Sequence, residues 1–316
     1  PATLSVARRD HSVSIALVGD STVIERHLSD HSTPLPDNVS VLHAPGTIAM
    51  DADPRAALRQ ADQSSMAVAL ALVQSGAADA CISAGNSAAL MLLARRLIGC
   101  VTGVEAPAFC KAMPVEQGMT LMLDLGANLH CDAERLVQFA HMGAVLAKTQ
   151  GVAVPEVGLL NIGEEAGKGT RAIRDAANLL AGETGFHYAG FVEPDEIYSG
   201  QVQVLVCDGF SGNIALKTSE GVARLIGRKI EQALTRGWWR FPALLLTVPL
   251  ARLRRDLNPD AYNGAVLAGL QQVVIKSHGG ASEQAFANAV AMALEQVRDG
   301  VPEKIARSLQ SRPVAH

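Results

Sequence analysis

Five loops rich in glycine and small polar residues follow apolar, strand-like runs, at residues 83–87, 124–128, 161–165, 208–213 and 276–280. Glycine lets the backbone turn sharply and approach a ligand closely. A helix-like segment follows each loop, and the unpaired N–H groups in the first turn of a helix suit an anion. The sequence therefore predicts that these loops bind phosphate or a similar anion.

The candidate phosphate- and substrate-binding residues lie in these loops or just after them. They are Gly85, Asn86, Ser87, Gly126, Asn128, Gly163, Lys168, Asp208, Gly209, Ser211, Gly212 and Asn213. Lys168 could bind phosphate or an acidic carrier protein. Asp208 could equally bind a ligand or cap the helix that follows it.

Lys276 and His278 are the residues whose types best suit catalysis. Because they are two positions apart on an extended chain, their side chains should share one face. Lys276 is predicted to bind the anion, and His278 to protonate a leaving group. The structural alternatives are a surface cation for Lys276 and a turn residue bonded to backbone for His278.

Apolar runs alternate with helix-like segments along most of the chain, which predicts a mainly parallel sheet with helices on both faces. Ligands bind beyond the carboxyl ends of strands in such sheets, so all five loops are expected at one edge. Residues 1–316 are interpreted as a single α/β domain. The clearest helix is predicted to run from Asp53 to Gly76, and residues 261–270 are predicted to form another.

The composition excludes several classes of function. The net charge of −4 at pH 7 gives the whole protein no attraction for nucleic acid. The five cysteines are scattered, without a Cys-x-x-Cys pair, which favours reduced thiols in a cytosol and argues against zinc. No apolar run approaches the ~20 residues that span a bilayer. The sequence therefore predicts a cytoplasmic protein without a metal.

Both tryptophans lie in an apolar and basic segment, within a predicted helical arm at residues 228–258. Aromatic and leucine side chains flanked by arginines suit the headgroup boundary of an anionic membrane or the wall of an acyl-chain site. A helical dimer contact is the third alternative. The residues predicted to make the membrane or acyl contact are Trp238, Trp239, Phe241, Leu244 and Leu245.

Several motifs together resemble the signatures of the PlsX family, the bacterial acyl-[acyl-carrier-protein]:phosphate acyltransferases. They are Ser83-Ala84-Gly85-Asn86, Leu123-Asp124-Leu125-Gly126-Ala127-Asn128, Leu160-Asn161-Ile162-Gly163-Glu164-Glu165, Val206-Cys207-Asp208-Gly209-Phe210-Ser211-Gly212-Asn213, Tyr262-Asn263-Gly264-Ala265 and Ile275-Lys276-Ser277-His278-Gly279. The resemblance implies an isocitrate/isopropylmalate-dehydrogenase-like fold and a homodimer without cofactor or metal. It also implies an acyl carrier protein as partner and peripheral attachment to the membrane.

In the reaction that the resemblance implies, inorganic phosphate attacks the thioester of an acylated carrier protein and gives acyl phosphate for phospholipid synthesis. The family opens with a strand and a Met-Gly-Gly-Asp loop, and both are expected to be missing from this sequence. Three other functions stay open. They are a phosphotransacetylase or phosphate butyryltransferase that uses a CoA thioester, an NAD-dependent decarboxylating dehydrogenase, and a membrane-recruited scaffold that binds carrier protein.

Overall fold

A computed structural model describes residues 1–29, 35–53, 58, 61–235 and 263–312. Within these residues the chain forms an eight-stranded sheet and a separate two-stranded sheet. Helices cover both faces of the larger sheet. None of the described helices is long and apolar enough to cross a membrane.

The strands are β1 (Ile15–Gly19), β2 (Val39–His43), β3 (Ala80–Ser83), β4 (Ala108–Pro114), β5 (Met119–Leu123), β6 (Glu156–Leu160), β7 (His187–Val192), β8 (Val204–Val206), β9 (Ala265–Ala268) and β10 (Val273–Lys276). The helices are α1 (Ala2–Arg9), α2 (Ser21–Ser29), α3 (Ser65–Gln74), α4 (Ser87–Leu97), α5 (Ala133–Thr149), α6 (Arg171–Leu180), α7 (Gly209–Thr235), α8 (Glu283–Arg298) and α9 (Val301–Gln310). Short 3₁₀ turns occupy Ala61–Gln63 and Pro194–Glu196.

The large sheet has the strand order β3-β10-β9-β4-β5-β8-β6-β7. Its outer pairs are parallel, whereas β9 is antiparallel to both β10 and β4, and β4 is antiparallel to β5. The predicted α/β class, a mostly parallel sheet between helices, is confirmed. The antiparallel centre reverses the chain direction, so β3, β10 and β4 run opposite to β9, β5, β8, β6 and β7.

The two faces of the sheet carry separate apolar cores. The back face is covered by α5, α6, α8 and α9, with Phe139 and Met142 fully buried against it. The front face is covered by α3, α4 and the first turns of α7, with Leu90 and Leu216 in its core. Side chains along a strand alternate between these faces. Cys110 therefore points to the back and its neighbour Lys111 to the front.

One predicted helix is interrupted, and another is wrong. Within the stretch expected to be one helix from Asp53 to Gly76, residue 58 is helical, and a separate helix, α3, begins at Ser65. The Ser64 hydroxyl accepts the Ala67 N–H and caps α3, while the Ser64 backbone bridges to Gly46. Residues 61–63 form a 3₁₀ turn instead. Residues 265–268, expected to be helical, form the central strand β9, since pairing with β4 and β10 on both sides outweighs the helix propensity of its alanines and leucine.

The predicted arm at residues 228–258 is only partly described. Residues 228–235 continue α7, and residues 236–262 lie outside the described part of the chain. The predicted membrane or acyl contacts at Trp238, Trp239, Phe241, Leu244 and Leu245 therefore lie outside it as well.

Helix α5 packs unusually close to the sheet at Gly143. Every residue from 136 to 147 is buried. A Cβ added at Gly143 would lie 2.3 Å from Val204 Cγ1 and 3.1 Å from Leu123 Cδ2. The absence of a side chain at this position therefore sets the spacing between α5 and strands β5 and β8.

The close contact at Gly143 can be tested by Gly143→Ala. Alanine should improve helix propensity by about 1 kcal/mol, but overpacking against Val204 should cost more, giving a net loss of about 1–3 kcal/mol. The matched control is Gly221→Ala, also inside a helix, where an added Cβ meets nothing within 4 Å. Urea unfolding should show the first variant destabilised and the second unchanged or stabilised, and equal behaviour of the two would contradict the close packing.

Candidate functional site

The carboxylate of Asp124, at the end of β5, organises one group of loops. It is fully buried and accepts hydrogen bonds from the backbone N–H groups of Phe109, Ala127 and Asn128, at 2.9, 3.1 and 2.6 Å. The side-chain amide of Asn128 donates to it at 3.0 Å. Burial raises the pKa of Asp124, and these four hydrogen bonds oppose that rise. Asp124 thus ties β4 to the loop that leads into α5.

The start of α7 packs directly on the Asp124 loop. The N–H of Gly209 donates to Asn128 O at 2.7 Å, and an added Cβ at Gly209 would lie 2.8 Å from Asp124 Oδ2. An added Cβ at Gly212 would lie 2.0 Å from Asp124 O. The two glycines of this predicted anion loop are therefore needed for close contact between two loops of the protein itself.

Asp208 caps α7, since its carboxylate accepts the Ser211 N–H at 2.7 Å. The N–H of Gly212 donates to Asp208 O. The backbone N–H groups of Gly209, Ser211 and Gly212 thus all donate to acceptors within the protein. Of the two alternatives for Asp208, helix capping is the one that the structure displays. Asn213 is exposed and lies beside Gly126, whose φ of +115° brings the β5 loop back towards α7.

The loop after β6 lies beside the α7 loop, because β6 and β8 are parallel neighbours. The side-chain amide of Asn161 donates to Gly163 O at 2.9 Å, and Lys168 pairs with Glu165 at 3.6 Å on the surface. The Oδ1 atom of Asn161 is buried without a hydrogen-bond partner among the described residues. Gly163 and Lys168 thus frame a loop that retains one unused acceptor.

The loops after β3 and β10 form the second group. The N–H of Ser277 donates to Ser83 O at 2.9 Å. Asn86 caps α4 through Ala89 N–H, and its amide donates to Met50 O at 2.9 Å. The N–H of Gly85 donates to Ser83 Oγ, and Ser87 is the exposed first residue of α4. The polar groups of Asn86 therefore join the loop to the segment before α3.

The expectation that all five loops share one sheet edge is wrong. The loops after β5, β6 and β8 leave one edge, and those after β3 and β10 leave the other, because the antiparallel centre reverses the strands. Helix α7 bridges the distance between these two groups of loops. It starts at the Asp124 loop and runs back over the front face, so residues 217 and 220 lie near the end of β10.

Three lysines meet on the front face beneath α7. Lys276 pairs in register with Ala265 on β9, and β9 lies against β4, where Cys110 pairs with Val266 and Lys111 follows. Lys217 and Glu220 project from α7. Glu220 Oε2 lies 3.0 Å from Lys217 Nζ, and Glu220 Oε1 lies 3.8 Å from Lys111 Nζ. The side chains of Lys111 and Glu220 are only 14% and 13% exposed, whereas Lys217 is 54% exposed, so the cluster has a shielded inner side and a solvent-facing side.

The pKa values of Lys276 and Glu220 are both shifted within this cluster. Burial and the neighbouring Lys217 ammonium lower the pKa of Lys276 to about 8. Burial alone would raise the pKa of Glu220, but Lys217, Lys111 and His278 together hold it below its ordinary value. The Lys276 ammonium donates to Ser277 O and lacks a carboxylate partner among the described residues. The cluster therefore carries more positive than negative charge.

His278 is held in a defined orientation beside the lysines. Its Nδ1 accepts the Gly280 N–H at 3.1 Å, which places the proton of the neutral ring on Nε2. Its backbone N–H donates to Asn263 Oδ1, and the Asn263 amide donates to Ser277 Oγ and Ala285 O. The exposed imidazole can therefore present an N–H donor while the buried Asn263 fixes the turn.

Sequence reasoning missed Lys111, Lys217, Glu220, Asp124 and Asn263 as members of the site. A signal existed for Lys111, which is the single charge in the apolar strand Ala108–Pro114. Lys217 follows Asn213 by four positions, so a helix places both on one side. Nothing local could show that these lysines meet Lys276, because the meeting depends on β9 lying between β4 and β10.

A metal-dependent dehydrogenase reaction and a cysteine nucleophile both find little support in the site. Among the described residues no group of three His, Cys, Asp or Glu side chains could hold a metal ion, which a decarboxylating dehydrogenase would need. Burial raises the pKa of Cys207 well above its ordinary value. Cys207 is therefore a buried thiol that packs against the Asp124 loop, and its environment disfavours the thiolate needed of a nucleophile.

Comparison with known proteins identifies the family. The sequence profile described as "Fatty acid synthesis protein" matches residues 2–304. The chain belongs to this family. The resemblance found in the motifs is thereby confirmed.

Two members of the family show how much of the chain the similarity covers. The chain is 49% identical over 295 residues to the phosphate acyltransferase of Cellvibrio japonicus, spanning 93% of this chain and 88% of that one. It is 45% identical over 311 residues to the phosphate acyltransferase of Pseudomonas syringae pv. syringae, spanning 98% and 92%.

Solved structures support the fold. A phosphotransacetylase from Streptococcus pyogenes superposes with a TM-score of 0.59 at 17% identity, covering 89% of this chain and 85% of that one. The EutD phosphotransacetylase from Staphylococcus aureus superposes with a TM-score of 0.56 at 16% identity, covering 97% of this chain and 89% of that one. These likenesses establish a shared α/β architecture.

The Asp124 carboxylate can be tested by Asp124→Asn. An amide in place of the carboxylate turns one acceptor into a donor that faces N–H groups, so we expect a loss of about 3 kcal/mol in unfolding free energy. The matched control is Asp132→Asn, because Asp132 caps α5 and asparagine caps equally well. Chemical denaturation should separate the two variants, and equal stability would remove Asp124 from its organising role.

Proposed function

We propose that this chain transfers a fatty acyl group from acyl-[acyl-carrier-protein] to inorganic phosphate, giving acyl phosphate for phospholipid synthesis. Membership of the fatty acid synthesis protein family and the phosphate acyltransferase relatives support this reaction. The observation that carries it is the cluster of Lys111, Lys217 and Lys276 on the front face. Such a cluster suits a small, multiply charged anion.

The charge of the cluster matches a phosphate dianion. Three ammonium groups and the Glu220 carboxylate leave a net charge of about +2 near neutral pH, because the lowered pKa of Lys276 is still about 8. On the inner side of the cluster, where Lys111 and Glu220 are shielded from water, opposite charges attract more strongly than on an exposed surface. Glu220 holds Lys111 and Lys217 in place, while Lys276 supplies the charge that lacks a carboxylate partner.

In the proposed mechanism a phosphate oxygen attacks the thioester carbonyl carbon. A C–O bond forms as the C–S bond breaks, and the electron pair of that bond leaves with the sulfur. The Nε2 N–H of His278 donates a hydrogen bond to the departing thiolate, and solvent supplies the proton that completes the thiol. The exposed side-chain amide of Asn213, one helical turn before Lys217, donates to the carbonyl oxygen as negative charge develops there.

The proposed donor is an acylated carrier protein. Carrier proteins are typically acidic, and α7 exposes the basic side chains of Arg224, Arg228 and Lys229 along its second half. A CoA thioester is the alternative donor, as in a phosphotransacetylase. Comparing kcat/KM for acyl-carrier protein and for the matching acyl-CoA separates the two.

We also propose that the protein is cytoplasmic, forms a homodimer and contacts the membrane surface peripherally. Apolar side chains of α7 are about half exposed: Phe210 57%, Ile214 51%, Val222 48%, Leu225 49% and Ile226 45%. Such a stripe suits burial against a second copy of the chain. The tryptophan-containing segment that follows α7 in sequence is proposed to reach the membrane surface.

Charge variants test the proposed phosphate site. Lys276→Met should raise the KM for phosphate at least tenfold while the KM for the acyl donor stays near wild type. His278→Gln should lower kcat at least tenfold without weakening binding of the acyl carrier. The control is Lys304→Met, which removes an exposed lysine on α9. Unchanged kinetics in the first two variants would contradict the assignment.

The pH dependence of the KM for phosphate tests the role of Lys276 in a second way. Because the folded-state pKa of Lys276 is about 8, its ammonium is present below that pH and is lost above it. The KM for phosphate should therefore rise as pH increases through about 8. Lys276→Arg keeps its charge and should remove this rise. A rise of the same size in both proteins would assign it to another group.

Membrane contact is tested by the double variant Trp238→Ala/Trp239→Ala. Removing two interfacial aromatic rings should reduce co-sedimentation with anionic liposomes several-fold, while acyl transfer to phosphate without membranes is retained. Size-exclusion chromatography with light scattering reports whether the dimer persists. Unchanged co-sedimentation would count against membrane contact through these residues.

A further inference from the structure

A cavity of about 350 Å³ opens on the back face of the sheet, between the carboxyl-terminal ends of α5 and α8. Its apolar walls are Cys110, Ala112, Leu121, Leu146, Val266 and Met292. This volume falls within the range of small-molecule sites. The cavity lies directly behind the lysine cluster, because Cys110 and Ala112 flank Lys111 on β4 and point to the opposite face.

The polar lining of the cavity offers an unused acceptor. Gln296 is only 6% exposed, and its Oε1 atom has no hydrogen-bond partner among the described residues. Thr149 cannot supply a donor while its hydroxyl donates to Leu146 O at 2.8 Å. A buried carbonyl oxygen without a donor is unfavourable, so a ligand with an N–H or O–H group would stabilise it.

The mouth of the cavity adds negative charge. Glu295 and Asp299 line it from the last turn of α8 and its carboxyl-terminal cap. Both α5 and α8 end here, and the carboxyl-terminal end of a helix carries a partial negative charge. A cationic group at the mouth would therefore interact favourably with two carboxylates and two helix ends.

The cations that adjoin Thr149 and Asp299 in sequence are directed elsewhere. Arg298, between the two carboxylates in sequence, pairs with Asp10 at 3.4 Å on the side where α8 meets α1. Lys148 Nζ lies beside Gly185, 3.7 Å from where a Cβ would stand. Neither side chain is among those lining the cavity. Among the described residues, neither of these cations pairs with Glu295 or Asp299, whose carboxylates are left to a ligand or to solvent.

We propose that this cavity binds an aliphatic primary amine in its ammonium form. The alkyl chain fills the space between Leu121, Val266 and Met292, and the ammonium group donates to Gln296 Oε1 and lies near Glu295 and Asp299. The same carboxylates repel a fatty acid or an acyl phosphate, so the site discriminates against the substrate class of the front face.

The test titrates the full-length protein with hexylamine, 1-hexanol and hexanoate near pH 7, by calorimetry and by NMR of methyl groups. Hexylammonium should bind saturably with one site per chain, the alcohol at least several-fold more weakly, and hexanoate not at all. The methyl resonances of Leu121, Val266 and Met292 should shift during the hexylamine titration.

Variants locate the binding. Ala112→Leu should fill the cavity and abolish hexylamine binding, with thermal unfolding checking that the protein is folded. Glu295→Gln should weaken binding at least threefold, whereas Glu283→Gln, the same change at the other end of α8, should not. Gln296→Leu, which removes the buried acceptor, gives a second route if Ala112→Leu fails to fold. Absence of saturable binding, or equal binding of amine and carboxylate, would overturn the proposal.

Discussion

The buried carboxylate of Asp124 is the interaction on which the rest of the site depends. Four donors from two segments converge on it, and Gly209 and Gly212 bring the start of α7 into contact with the same loop. A buried carboxylate is stable only when such donors surround it. The direction in which α7 leaves β8 is fixed at this point, and with it the position of every side chain further along that helix.

The antiparallel centre of the sheet supplies the second half of the site. A fully parallel sheet would place all five glycine loops at one edge. Here β9 lies between β4 and β10, so Lys111 and Lys276 occupy nearly the same row of the front face. Helix α7 crosses above that row and adds Lys217 and Glu220. The proposed phosphate site is thus formed where the two strand directions meet.

The sequence was sufficient for the alternation of strands and helices and for the glycine loops. It also selected Lys276 and His278, which lie near Lys217 and Glu220 in the structure, and their roles stay predictions. It was insufficient for strand direction, which depends on pairing between segments far apart in the chain. The alanines and leucine of β9 favour a helix locally, and only pairing on both sides makes them a strand. Gly209, Gly212 and Asn86 were interpreted as ligand contacts, whereas their close approaches and hydrogen bonds connect loops within the protein, which spacing alone cannot distinguish.

The central claim is that phosphate binds between the lysines of the front face. Crystals soaked with arsenate, a heavier analogue of phosphate, would locate the anion directly through anomalous scattering. We expect an arsenic peak within hydrogen-bonding reach of Lys276 Nζ and Lys217 Nζ, on the side of α7 that faces β4. A peak confined to the loop of Gly163 and Lys168, with the lysine cluster empty, would contradict it.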